Sequence, residues 1–67
     1  MMKITLNGED REIPDGLTVA ELLAHLSIRA GRVAIERNLE ILSRENWEST
    51  AVAAGDRFEV VHFVGGG

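Results

Sequence analysis

Apolar and polar residues alternate at the start of the chain, with Met2, Ile4 and Leu6 on one side and Lys3 and Thr5 on the other. A period of two is that of a half-buried strand. Asn7-Gly8 comes next. Both residues tolerate positive φ, so the pair predicts a type I′ hairpin turn. A return strand is expected over residues 9–13, with Arg11 and Ile13 sharing a face. Pro14, which has no amide hydrogen, and Asp15-Gly16 end it. The period then changes. Val19, Leu22, Leu23 and Leu26 recur at i, i+3, i+4 and i+7, a single apolar stripe along a helix. Thr18 and Glu21 have the spacing of a capping box, and Leu17 with Leu22 that of a hydrophobic staple across it. Losing the Thr18 cap is expected to cost about 0.5–2 kcal/mol. The helix should end near Ser27, with Gly31 punctuating the loop beyond.

Alternation resumes over residues 32–37, where Val33 and Ile35 stand against Arg32 and Glu36, so a third strand is expected. Ile41 and Leu42 predict a short fourth strand after a turn at Asn38-Leu39. Residues 43–54 are polar and irregular, with Trp47 and Val52 as anchors to the core. Gly55-Asp56 makes a turn, and residues 57–64 read as the last strand. There Phe58, Val60, His62 and Val64 share one face, while Glu59, Val61 and Phe63 share the other. Two largely apolar faces suit a central strand, or one whose outer face meets a partner. The helix stripe and the apolar face of the sheet need to cover each other. This order of elements predicts an α+β fold of the β-grasp (ubiquitin-like) type, a mixed sheet of four to five strands with one helix packed across it. Residues 1–64 would form the domain and residues 65–67 a flexible glycine tail.

Length and composition narrow the chemistry. A chain of 67 residues is one small domain, and it buries only about 60% of the surface its unfolded form exposes. With no cysteine, disulfides, thiolate metal sites and a cysteine nucleophile are excluded. Seven Lys and Arg stand against eleven Asp and Glu, a net charge of −4. That balance argues against nucleic acid and anionic membranes, and it favours a partner with a positive surface. There is no signal-peptide pattern and no run long enough to span a bilayer, so a soluble, cytoplasmic protein is expected.

An ordinary enzyme site is hard to assemble from this sequence. His25 lies off the helix stripe and reads as solvated, while His62 reads as a partner contact or a half-buried strand residue. Ser27, Ser43 and Ser49 lack a nucleophile-elbow setting. Glu9, Asp10 and Glu12 read as solvated surface beside a turn, and Trp47 as core. No glycine-rich phosphate loop precedes the helix. What remains is Gly65-Gly66-Gly67 directly after an apolar strand. Glycine has no side chain and no steric bar on φ, so such a tail can enter a narrow channel. The group it would carry there is the α-carboxylate of Gly67. A carboxylate is a poor electrophile, because its charge repels nucleophiles and it has no good leaving group. Conversion to an acyl-adenylate supplies one, after which a persulfide or thiol can attack. That chemistry needs ATP and Mg²⁺ on a partner enzyme, since no cofactor or metal is expected on this chain. Against it stands a plain flexible end with no task.

Two stretches, Val33-Ala34-Ile35-Glu36-Arg37-Asn38 and the run from Gly55-Asp56-Arg57-Phe58 through Val64-Gly65-Gly66-Gly67, resemble the sulfur carrier proteins of thiamine biosynthesis. The opening segment to Leu23, with Asn7-Gly8 and the capped helix start, is similar too. The resemblance implies that the chain is a carrier and not an enzyme. An E1-like adenylyltransferase would activate Gly67, with Gly66 completing the terminal diglycine. A persulfide-bearing sulfur donor would convert the carboxylate to a thiocarboxylate, and thiazole synthase would take the sulfur. Val61, Phe63, Val64 and Gly65 are expected to contact these partners. Val61 and Phe63 are apolar, yet they point away from Phe58 and Val60. Leu39 stands where many members place a glycine, and Ser43 near where a proline is common. The alternatives are the small subunit of molybdopterin synthase, a ubiquitin-like modifier, and a non-catalytic binding domain.

Overall fold

The computed structural model describes residues 1–63. The expectations for Val64, Gly65, Gly66 and Gly67 lie outside the described residues. Strands β1 (Met2–Leu6) and β2 (Glu9–Ile13) form a hairpin, followed by helix α1 (Val19–His25). A 3₁₀ turn at Ala30–Arg32 leads into β3 (Val33–Arg37) and β4 (Glu40–Leu42); a second, Arg44–Asn46, precedes β5 (Arg57–His62). The strand order is β2-β1-β5-β3-β4. Strand β5 lies in the middle, parallel to β1 and antiparallel to β3. This is the expected β-grasp arrangement, with five strands.

The helix covers one face of the sheet because the sequence periods agree across the two layers. Val19, Leu22 and Leu23 from α1 pack with Ile4, Leu6, Ile13, Val33, Ile35, Phe58 and Val60 from the strands. Trp47 and Val52 close the cluster from the loop before β5. The indole N–H of Trp47 donates to the Leu42 carbonyl at 3.1 Å, so burial leaves no orphan donor there.

The donors and acceptors at both ends of the short helix find partners. The N–H groups of Val19 and Ala20 donate to the carbonyls of Thr50 and Trp47 at 2.9 and 3.1 Å. The Glu21 N–H donates to the Thr18 hydroxyl, and the Glu21 carboxylate accepts from the Thr18 N–H at 2.9 Å. Otherwise the first turn would present unpaired donors. At the far end the helix stops at His25 with Leu26 as its cap, close to the expected end near Ser27. Ser27 takes φ 59°, its N–H donates to the Ala24 carbonyl, and the Ile28 N–H donates to that of Leu23. That is a Schellman end with serine where glycine is usual.

Two boundaries depart from the sequence pattern. Arg32 belongs to the 3₁₀ turn, so β3 begins at Val33. The last strand ends at His62, and His62 is exposed although it shares parity with Phe58 and Val60. Val33, its cross-strand partner on the same face, is buried, so the cover at that level falls on β3 and leaves His62 open.

Candidate functional site

The site expected from the sequence is the end of the chain, and β5 carries it. The start of β5 is clamped by side chains. Asp56, only 6% exposed, accepts from Arg37 Nε at 3.0 Å, Asn38 Nδ2 at 3.2 Å and the Ala53 N–H at 2.8 Å. Burial would raise the pKa of this carboxyl. The Ala53 N–H, the Asn38 amide and the Arg37 guanidinium outweigh it and hold the group below the ordinary aspartate value of 3.8. Asn38 also accepts from the Arg57 N–H at 3.0 Å, which ties the β3–β4 turn to the first residue of β5.

Midway along β5, Asn7 does more than turn the first hairpin. Its φ of 48° and the 82° of Gly8 fit the type I′ turn. Its side-chain oxygen also accepts from the Val60 N–H at 2.8 Å, and its amide donates to the Val60 carbonyl at 3.4 Å. The side chain thereby extends the β1–β5 ladder past the end of β1. Nothing in the hairpin signal announces that bond, because it depends on which strand comes to lie beside β1.

Beyond Val60 the strand keeps its backbone pairing as far as Phe63. His62 pairs with Val33, and the Phe63 N–H donates to the Arg32 carbonyl at 2.9 Å. Of the residues expected to meet partners, Val61 is 52% exposed and Phe63 58%. Val61 sits on the helix-free face of the sheet, directly opposite Ala34. Ile41, 79% exposed, lies on the same face opposite Glu36. The other expected contacts, Val64 and Gly65, and the pair expected to react, Gly66 and Gly67, fall beyond Phe63 and outside the described residues. His25 is exposed on the last helical turn, far from His62 in sequence, and Trp47 is buried. Among the described residues no three His, Asp or Glu side chains converge as metal ligands would, and no helix is long and apolar enough to cross a membrane.

The central strand therefore runs from a side-chain clamp, through the core, to an exposed apolar end from which the glycines continue. A family model matches residues 4–67, from the first strand through the last glycine. The chain belongs to the ThiS family. The sulfur carrier protein ThiS of Bacillus subtilis is 38% identical over 65 residues, covering 96% of this chain and 98% of that one. A crystal structure of the thiamine biosynthesis protein ThiS from Geobacter metallireducens superposes with a TM-score of 0.86 at 39% identity, covering 98% of this chain and all of that one. A thiazole synthase of Paramagnetospirillum magneticum is 44% identical over 66 residues, which is 98% of this chain but 20% of that protein. The chain thus spans about one fifth of the length of the thiazole synthases it matches.

Proposed function

We propose that this ThiS-family chain is a sulfur carrier and not itself an enzyme, with the α-carboxylate of Gly67 as its working group. The observation that carries this reading is a family match that runs through the glycine run to residue 67, directly after the strand at the centre of the sheet. In the proposed cycle an E1-like adenylyltransferase, using ATP and Mg²⁺, lets a Gly67 carboxylate oxygen attack the α-phosphorus and expels pyrophosphate. The terminal sulfur of a persulfide-bearing donor attacks the acyl carbonyl and AMP leaves. A second thiol then cleaves the sulfur–sulfur bond and leaves the thiocarboxylate on Gly67. Thiazole synthase is the proposed acceptor, supported by the thiazole synthases that contain a segment similar to this chain. Gly66 would keep the approach narrow, while Val61, Phe63, Val64 and Gly65 contact the enclosing partner.

Intact-mass measurement after incubation with ATP, Mg²⁺, an activating enzyme and a sulfur donor tests the reading. The full chain should gain the mass of one oxygen-for-sulfur exchange. The chain lacking Gly67 should melt at the same temperature yet fail to load, because its carboxylate stops short by about 3.3–3.6 Å. A misplacement of about 1 Å can already cost roughly a hundredfold in rate. Full loading of the shortened chain would refute Gly67 as the acceptor.

A further inference from the structure

We propose that Arg29 and Arg32 form a positive rim at the root of the tail, fitted to an acidic surface on the activating enzyme around the mouth of the channel that takes the tail. This rests on the carrier reading above. The chain is acidic overall, yet residues 22–35 contain no Asp or Glu and hold both of these arginines. The fold brings the end of that stretch, from Arg32 to Ile35, beside the outgoing strand. Arg29 caps the 3₁₀ turn Ala30–Arg32, and the Arg32 carbonyl accepts the Phe63 N–H at 2.9 Å. Both side chains are exposed, and neither has a carboxylate partner among the described residues. Arg44, at the same end of the sheet, is used otherwise: its guanidinium lies 4.6 Å over the Trp47 ring and donates to the Val33 carbonyl.

Reach decides what the two arginines meet. Gly67 stands four residues beyond Phe63, so in an extended tail its carboxylate lies about 13–14 Å further on. Arg32, level with Phe63, is therefore left at the entrance while the carboxylate reacts inside. Charges at an interface rim act mainly on association rate and salt dependence. The net charge of −4 alone would draw the chain toward positive surfaces. A local reversal at the tail root orients the encounter so that the tail enters first.

The test is the association rate with the activating enzyme, measured without ATP at low and high salt. The double variant Arg29→Glu/Arg32→Glu should associate about tenfold more slowly at low salt, the gap closing as salt screens it. Arg29→Gln/Arg32→Gln, which neutralises the same positions and replaces the first variant if that folds poorly, should slow it by about threefold. Lys3→Glu/Arg57→Glu makes the same change in net charge at the opposite end of β5, where Arg57 begins the strand and Thr5 pairs with it. That control should stay within about twofold of the parent. Equal slowing by both glutamate pairs would reduce the effect to net charge and overturn the rim. An effect seen only with ATP present would assign the arginines to the nucleotide phosphates and overturn it as well. Failure of the parent chain to load sulfur, read separately by intact mass, would overturn the carrier reading while the binding rates still decide the rim.

Discussion

The two ends of β5 are built on different principles. At its start, one buried carboxylate gathers a guanidinium, an amide and a backbone N–H, and Asn38 adds a bond to Arg57 N–H. At its end, the strand has a backbone ladder and two exposed apolar side chains, Val61 and Phe63. Side-chain networks of buried polar groups specify one geometry and penalise every other. A backbone ladder holds a strand in register without committing its side chains. The difference teaches how a small sheet can fix a strand by side chains where it enters and leave apolar side chains exposed where it leaves.

Breaking the clamp should have the largest effect on the fold. Asp56→Ala removes the acceptor of three hydrogen bonds and strands a partly buried guanidinium, so a loss of about 2–3 kcal/mol is expected. In a domain of this size that lowers the melting temperature by on the order of 10 °C. Asp56→Asn separates charge from packing. The folded carboxyl is held below 3.8, so its ionic contribution is fully present above the unfolded value and is lost as pH falls through the folded one. The stability gap between the parent and Asp56→Asn should therefore narrow below about pH 4. A gap constant through that range would make the clamp a matter of shape alone.

Phe63 offers the converse. Phe63→Ala should leave the melt unchanged, because the side chain is 58% exposed and the strand keeps its backbone bond to Arg32. Its affinity for an enclosing partner should fall by about tenfold, within the range for an aromatic at an interface centre. Calorimetric titration beside a melt reads both. A variant that unfolds would place Phe63 in the core and erase the distinction between the two ends.

Much of this was legible in the sequence, for reasons that are local. The alternation of Met2, Ile4 and Leu6, the Asn7-Gly8 turn and the Thr18–Glu21 box each specify structure within a few residues, and each occurs as read. The exposed parity of Val61 against Phe58 and Val60 was legible too, since strands alternate strictly. What the sequence hid is non-local. Asp56 looks like an ordinary turn residue after Gly55, and its burial follows only once β3 is laid beside β5 so that Arg37 and Asn38 meet it. Asn7 likewise reads as a turn former, while its bonds to Val60 span most of the chain. The exposure of His62 beside a buried Val33 is non-local too, since the parity of β5 alone puts His62 with Phe58 and Val60.

The smallest effect comes from the turn beside the clamp, and it can sharpen the comparison most. Asn38 and Leu39 both adopt positive φ, 52° and 72°. For a residue with a Cβ this region costs about 1–2 kcal/mol. Leu39 obtains nothing visible in exchange, since its side chain is 77% exposed. Glycine there removes the strain but adds freedom to the unfolded chain, which takes back about 0.4–1 kcal/mol. Leu39→Gly should therefore stabilise the domain by up to about 1 kcal/mol, a rise of a few degrees in the melt. Asn38 shares the positive φ, which asparagine tolerates better than leucine, and has the opposite expectation. Its side chain donates to Asp56 and accepts from Arg57 N–H, so Asn38→Gly relieves little strain, opens the clamp and should destabilise. Adjacent residues in one turn, with one backbone conformation, should thus respond to the same substitution with opposite signs. If both stabilise, the clamp contributes little and strain governs the turn. If both destabilise, Leu39 makes a contact that its exposure conceals.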